Sequence, residues 1–234
     1  MNYRAHTLFI LLFLANQVQA NQWQQTPVAP ALQALAVLTV LSLAPSILMV
    51  LTSFTRIIIV LSLLRNALGL QQTPPNSVLI SLALFLSLLS MMPIAKTVYD
   101  EAFLPYQIQQ ISGEKAIVKA LVPLKQFMLK QTREKDLQMI LQLTKETIPQ
   151  KADDIKLHQL VPAFLLSELQ TAFQIGFIIF LPFLLIDLIV TVTLMTLGML
   201  MIPPMTISLP IKLLVFVLVE GWSLVAHALI ASFH

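Results

Sequence analysis

The chain has 234 residues, of which 57% are hydrophobic and only 11% are charged. Soluble globular chains carry about 25% charged residues. This chain therefore has too few charges to cover a water-facing surface, and most of its exterior must be buried in lipid, in partner subunits, or in both. The same composition excludes a disordered chain, which would be polar and charged. The absence of cysteine excludes disulfides and thiolate sites, and a net charge of +3 is too small and dispersed to indicate nucleic-acid binding.

The first twenty residues have the order of a cleavable secretory signal peptide. Arg4 supplies a positive charge, residues 8–15 form a short apolar core, and Ala20 ends a cleavage-site pattern of small or tolerated residues. The apolar core is shorter than the roughly 20 residues that a spanning helix needs. An uncleaved anchor is the alternative. We expect cleavage after Ala20 and a mature chain that begins outside the cytoplasm at Asn21.

Four long apolar segments follow, and each is predicted to be helical. They cover residues 31–64, 78–94, about 162–201 and about 207–232. Because proline disrupts a helix interior, we expect a kink at Pro45, a helix end at Pro93, and a bend or interruption at Pro182. The segments lack the period-2 alternation of a membrane barrel. The predicted fold is all-α, with long kinked membrane-associated helices that form hairpins.

A polar segment separates the second and third apolar segments. Ten of the fourteen Lys/Arg and nine of the eleven Asp/Glu lie between Lys96 and Glu168. Within it, residues 114–147 carry apolar side chains near 3.6-residue spacing, which predicts amphipathic helices. We divide the chain into a signal peptide (1–20), N-terminal apolar helices (21–98), a polar extracytoplasmic insert (99–161) and a C-terminal hairpin with a methionine-rich loop (162–234).

Five charged residues lie in or beside apolar helices, where a charge costs roughly 2.5–3.5 kcal/mol on insertion scales. They are Arg56, Glu168, Asp187, Lys212 and Glu220. Snorkelling to the headgroups is the alternative for Arg56 and Lys212. In a straight hairpin, Asp187 and Glu220 share a depth and Lys212 lies near the turn. This predicts that Lys212 meets neither carboxylate and that the charges are satisfied between subunits or in a water-filled lumen.

Residues 198–205, GMLMIPPM, place three methionines at the turn between the last two apolar segments. Methionine side chains are flexible and conform to irregular partners. Core filling is the simpler interpretation. The alternative is a soft constriction, which would seal a pore when repeated around an oligomer axis and would yield to varied passengers.

Catalytic constellations are missing from the sequence. The four histidines have no metal-ligand spacing and the five glycines are scattered singly, so neither an H-E-x-x-H motif nor a phosphate loop occurs. We expect no enzyme activity, no cofactor and no metal site.

Several stretches together resemble a known family. They are residues 161–177 (VPAFLLSELQTAFQIGF), 181–188 (LPFLLIDL), 208–214, 220–222, 51–56, 65–69 and 127–134. The chain resembles the FliP family of flagellar biosynthesis proteins over essentially its whole mature length. The resemblance implies a channel-forming subunit of the flagellar type III protein export gate in the bacterial inner membrane and the flagellar basal body.

Partners and residue roles are also implied by the resemblance. Several copies, expected to be five, would assemble into an oligomeric helical ring with the Q and R subunits and other export-apparatus membrane proteins. This ring would lie largely at the periplasmic side and pass unfolded flagellar proteins. The positions implied for ring assembly are Phe127 and Glu168; Ile140 stands where the family commonly has Phe. The residues implied for the constriction are Met199, Leu200, Met201 and Met205, with Leu200 replacing the family's middle methionine.

Three other functions are alternatives to this one. An injectisome export-gate subunit belongs to the same class, although the signal peptide favours the flagellar branch. A small polytopic transporter or ion-channel subunit would use the intramembrane charges and would function without Q and R partners. A membrane-bound enzyme is opposed by the missing constellation.

Overall fold

The computed structural model describes residues 29–144, 154–199 and 201–233, which form helices and turns without any strand. Contacts divide the chain into a unit that ends at Leu48 and a larger unit that begins at Met49. The predicted signal peptide, the expected cleavage point and Leu200 lie outside the described residues. The prediction of a helical, membrane-type protein is confirmed.

The described part of the chain contains nine α-helices and one π-helix. They are α1 (Ala29–Leu51), α2 (Phe54–Ala67), α3 (Asn76–Val98), the π-helix (Tyr99–Phe103), α4 (Leu104–Gln107), α5 (Gly113–Gln131), α6 (Glu134–Thr144), α7 (Leu157–Thr196), α8 (Met205–Leu218) and α9 (Gly221–Ala231). Two stretches of these described residues, Asn76–Gln107 and Leu157–Thr196, are long and apolar enough to cross a membrane. The pair α8 and α9 would be a third if it forms one span.

Proline does not end the helices where the sequence predicts. The helix α3 continues through Pro93, and α7 is not interrupted at Pro182. The predicted helix end at Pro93 and the predicted interruption at Pro182 are therefore wrong, while a bend at Pro182 stays a prediction. The helix α1 extends past Pro45, where the expected kink stays a prediction, and the chain leaves the helix at Thr52 and Ser53. A proline removes only one backbone hydrogen bond from a helix. In an apolar environment the other backbone groups still need helical partners, because water does not replace them.

The fourth apolar segment, predicted as one helix, is two. Between α8 and α9 the chain bends by 63°, and Glu220 at the junction has a left-handed φ of 49°. A Cβ on Gly221 would lie 2.1 Å from a carbon of the Phe216 ring, which is closer than atoms can approach. The bend therefore depends on a glycine beneath an aromatic ring.

The core is built around α2, which packs mainly against α7 and also against α3. Ile57, Val60 and Leu61 on α2 are fully or almost fully buried. On α7, Gly176 allows close approach, because a Cβ there would lie 2.3 Å from Cδ1 of Leu63. The helix α7 also packs against α5, α6 and α8, so it joins α2 to these three helices.

The amphipathic helices predicted for the polar insert are confirmed as α5 and α6. Their apolar stripes bury Phe127, Met128 and Leu141 against the core. By contrast, large apolar side chains remain exposed along α3, α7 and α8. An exposed apolar surface of this extent indicates contact with lipid or with other proteins.

Candidate functional site

Arg56 and Glu168 form a buried ion pair between α2 and α7. Arg56 Nε donates a hydrogen bond to Glu168 Oε2 at 2.9 Å, and Nη2 donates to Oε1. Their side chains are only 3% and 0% exposed. A bidentate guanidinium–carboxylate pair is the geometry in which Coulomb attraction best offsets the cost of desolvation. These two charges are therefore paired within one chain, and the expectation that they are unpaired until subunits meet is wrong for them.

The guanidinium of Arg56 has further partners. Nη1 donates to the main-chain oxygen of Ser232 at 3.0 Å and to its Oγ at 3.1 Å, and Nη2 donates to Oε1 of Gln131 at 2.9 Å. The ring of Phe233 lies 4.0 Å from Arg56 Cζ, within cation–π range. A guanidinium has five N–H donors, and each has an acceptor here. We call Arg56, Gln131, Glu168, Ser232 and Phe233 the Arg56 cluster.

Phe127 packs directly against this cluster. Its ring makes an edge contact with Phe164 at 5.9 Å between centroids and lies 6.3 Å from Phe233. One turn further along α5, Gln131 Nε2 donates to the main-chain oxygen of Phe233 at 3.1 Å. The structure thus brings together Phe127 and Glu168, the two positions implied for assembly, and gives both of them partners in their own chain. Their part in assembly stays a prediction.

A polar strip on α7 continues from this site towards the insert. Ser167 Oγ donates to Asp136 Oδ2 at 2.6 Å and accepts a hydrogen bond from the main-chain nitrogen of Arg133 at 2.9 Å. The guanidinium of Arg133 reaches Thr171 Oγ1 at 3.2 Å and Gln174 Oε1 at 2.6 Å. The polar residues within the long apolar helix are therefore covered by the start of α6 and the turn before it.

Lys212 and Asp187 form a second ion pair, contrary to the prediction. Lys212 Nζ donates to Asp187 Oδ2 at 2.6 Å and to the main-chain oxygen of Ala67 at 3.1 Å. Ala67 is the last residue of α2, where carbonyl groups lack helical partners. The ammonium group of Lys212 therefore caps α2 as well as neutralising Asp187. Of the two side chains, that of Asp187 is the more exposed to solvent, since Asp187 is half-buried and Lys212 is buried.

The prediction that Lys212 meets no carboxylate is wrong because it places the ends of the two helices at the wrong residues. The helix α7 ends at Thr196, nine residues after Asp187, and α8 begins at Met205, seven residues before Lys212. At 1.5 Å per residue these positions are about 14 Å and 11 Å from their helix ends, and the long lysine side chain covers the difference. Glu220 was expected to be a buried charge. It is exposed at the bend between α8 and α9.

The methionine-rich loop begins with a tight helix end. Gly198 has a φ of +72° and donates to the oxygen of Met195 at 3.1 Å, while Met199 donates to the oxygen of Leu194 at 2.9 Å. These two bonds define a Schellman motif. The side chain of Met201 is 96% exposed.

The other methionines of the loop are also outside the core. Met199 and Met205 are exposed, and the Cε of Met205 lies 3.8 Å from the position that a Cβ on Gly69 would occupy. The interpretation that these three side chains fill the core of the chain is wrong. They are available to a partner or to a pore lumen.

Three partners of Arg56 were not predicted from the sequence. Gln131 lies inside a stretch that carries the family resemblance, and that was the one available signal. Ser232 and Phe233 had no signal, because their contacts with Arg56 span 176 and 177 positions. Within residues 29–144, 154–199 and 201–233, no group of three His, Cys, Asp or Glu residues could hold a metal ion.

These features define the class of protein to which the chain belongs. The chain is a helical membrane-type protein in which four charges on apolar helices form two internal ion pairs, and its apolar exterior is left for lipid or partners. Comparison with known proteins then gives the family. The FliP family model matches residues 37–229, and the chain belongs to the FliP family, which confirms the resemblance.

Curated relatives agree over most of the chain. It is 53% identical over 204 residues to "Flagellar biosynthetic protein FliP" of Pectobacterium carotovorum subsp. carotovorum, covering 87% of this chain and 79% of that protein. The protein of the same name from Bacillus subtilis (strain 168) is 50% identical over 206 residues, with coverage of 88% and 93%. That of Caulobacter vibrioides is 51% identical over 201 residues, with coverage of 86% and 76%.

Proposed function

We propose that this chain is a channel-forming subunit of the flagellar protein export gate in the bacterial inner membrane, which passes unfolded flagellar subunits during flagellum assembly. The observation that carries the proposal is the family match over residues 37–229. Relatives that are 50–53% identical are named flagellar biosynthetic proteins, and this favours the flagellar system over an injectisome. A subunit of this kind acts by enclosing a path, so no catalytic role is included.

The subunit assembles with copies of itself, five by expectation, and with the Q and R subunits, other export-apparatus membrane proteins and lipid. The exposed apolar faces of α3, α7 and α8 support these contacts, because an isolated chain with such faces would be poorly soluble. Much of the complex lies at the periplasmic side of the inner membrane. Nucleic acid is not a partner.

Phe127 and Glu168 act in assembly by shaping the subunit. Both side chains are buried in the chain, so neither presents a large surface to a neighbour. Glu168 holds Arg56, and Phe127 packs against Phe164 and Phe233. Together they fix the polar insert and the end of α9 against α2 and α7, which sets the faces that meet the next copy.

The constriction of the channel consists of Met199, Leu200, Met201 and Met205. Its support is the exposure of the three methionines at a turn whose start is fixed by Gly198. Unbranched thioether side chains change conformation at low cost and carry no charge. They suit a seal that opens around side chains of many shapes.

Complementation tests the proposal as a whole. The gene is expressed in a flagellated bacterium that lacks its own FliP family protein, and motility and the release of flagellar subunits into the medium are measured. We expect both to be restored to at least a third of the level given by the host gene. Full membrane accumulation with neither activity restored would contradict the proposal, provided that an exchange of the host's Q and R genes for those of the source organism does not restore them.

A further inference from the structure

The segment formed by Ser232 and Phe233 has an unusual position for residues that follow the last helix. The matched family region ends at residue 229, so this segment lies outside it. Phe233 is nevertheless buried, with only 4% of its surface exposed, and its ring lies under the guanidinium of Arg56. The burial of a large aromatic ring here removes apolar surface from solvent and holds the segment in place.

The contacts of this segment with Arg56 are as numerous as those of Glu168. Ser232 accepts two of the five N–H groups of Arg56, and Glu168 accepts two others. Without the segment, Arg56 would keep Glu168 and Gln131 but would lose two acceptors and the ring beneath it. The orientation of the guanidinium therefore depends both on Glu168 and Gln131 and on the segment formed by Ser232 and Phe233.

The same segment also touches the polar insert. The main-chain oxygen of Phe233 accepts a hydrogen bond from Gln131 Nε2, and its ring faces Phe127. It thus contacts Phe127 directly and Glu168 through Arg56. These are the two residues to which the proposed function gives a role in assembly.

We infer that Ser232 and Phe233 are positioning residues for subunit assembly, acting as a latch that holds Arg56 and the end of α5 in the conformation that the ring requires. The inference rests on the proposed function in one respect, namely that Phe127 and Glu168 shape the assembling subunit. The closure of the latch is a property of the single chain and is measured separately.

The experiment uses the full chain, produced together with the Q and R subunits and solubilised in mild detergent. Three variants form a graded series: Ser232→Ala keeps the main-chain acceptor and the ring, Phe233→Leu keeps apolar bulk without the ring, and Phe233→Ala removes both. Hydrogen–deuterium exchange followed by mass spectrometry reports the latch in peptides that contain Gln131 and the end of α9. Blue-native gels report the oligomer.

We expect Phe233→Ala to accelerate exchange in both peptides at least tenfold and to reduce the oligomer at least fivefold, while monomer still accumulates in the membrane. Phe233→Leu should give an intermediate effect on both measurements, and Ser232→Ala less than a twofold effect. Arg65→Ala is the matched control, since Arg65 bonds to Pro74 and Asn76 in a turn distant in sequence from the latch, and exchange at the end of α9 should not change.

The outcomes separate the two ideas. Unchanged exchange in Phe233→Ala would overturn the latch. Faster exchange with a normal amount of oligomer would overturn its role in assembly while leaving the proposed function intact. If Phe233→Ala fails to accumulate, Phe233→Leu decides on the same criteria. Absence of any oligomer from the wild-type chain would instead count against the proposed function, and exchange would still decide whether the latch exists.

Discussion

The Arg56 cluster and the methionine-rich loop are built in opposite ways. In the cluster, every N–H group of a buried guanidinium has an acceptor, and the side chains come from four parts of the chain. At the start of the loop the backbone is fixed by one hydrogen bond from Gly198 and one from Met199, while Met201 is 96% exposed. One region specifies a single conformation, while the other offers side chains that are free to adopt several.

The two regions lie at opposite ends of α2. Arg56 lies in the first turn of that helix, and Gly69, which neighbours Met205, follows its last turn. Lys212 caps the same end through the oxygen of Ala67. The helix α2 therefore runs from the Arg56 cluster to the end that Met205 and Lys212 approach. Exposed methionine side chains there can change conformation at low cost without moving the helix.

The largest effect is expected from breaking the cluster. Glu168→Ala leaves Arg56 with a buried, uncompensated charge, and removal of one partner from a buried pair costs about 3–5 kcal/mol. Chemical denaturation of the detergent-solubilised protein should show this loss of stability. On blue-native gels the oligomer should disappear while monomer remains.

A paired substitution sharpens that result. Replacing both residues, Arg56→Met with Glu168→Met, removes the pair without leaving a charge behind, and such replacements are often neutral or better. The double variant should therefore be more stable than Glu168→Ala. Equal destabilisation by the single and double variants would mean that packing, and not the charge, holds this site together.

A smaller effect is expected at the other end of α2. Lys212→Met removes the cap from the Ala67 carbonyl and leaves Asp187 unpaired but half in solvent, so we expect a cost of about 1–3 kcal/mol. Lys212→Arg, which keeps the charge, should recover at least half of that. If Lys212→Met lowers the stability as much as Glu168→Ala in the same denaturation assay, the contrast between a fully buried ion pair and a partly exposed one does not hold.

The sequence predicts which segments form apolar helices and which form amphipathic helices, but it does not predict where the helices end. Apolar periodicity and composition locate α3, α5, α6 and α7, because burial and lipid contact act on whole helix faces. A helix end at Pro93 and a bend or interruption at Pro182 are predicted, but the helices continue through both prolines. The sharp bend arises instead at Glu220 and Gly221, where a left-handed residue and a close ring contact act together.

The ion pairs were the less predictable part of the site. The sequence identifies Arg56, Glu168, Asp187 and Lys212 as costly charges in apolar surroundings. Partner choice, however, depends on tertiary contacts over 112 and 25 positions, and an error of a few residues in a helix end moves a side chain by several ångströms along the axis. The residue types therefore identified the important charges, whereas the partner of each charge could be identified only from the fold.

A third effect concerns the backbone of the loop. Gly198 has a φ of +72° and no atom lies within 4 Å of where its Cβ would be, so Gly198→Ala introduces strain without a clash. We expect a cost of about 1–2 kcal/mol, the penalty of a left-handed conformation for a residue with a Cβ. Gly198→Asn, which tolerates this conformation better, should cost less in the same denaturation measurement. Equal costs would point to a contact between subunits at this position.

The smallest effect on stability, and the most specific effect on function, is expected from the methionines themselves. Exposed side chains away from special features usually change stability by no more than about 0.5 kcal/mol. Changing Met199, Met201 and Met205 together to Ala should therefore leave the oligomer intact on blue-native gels. If these side chains form the seal, their shortening opens the closed pore, and membrane conductance on expression with the Q and R subunits should rise at least threefold. Met92→Ala is the matched control, because Met92 is an exposed methionine on α3, and its conductance should equal that of wild type. An assembled triple variant with wild-type conductance would mean that the seal lies elsewhere, and that the exposed methionines serve contact with lipid or partner subunits.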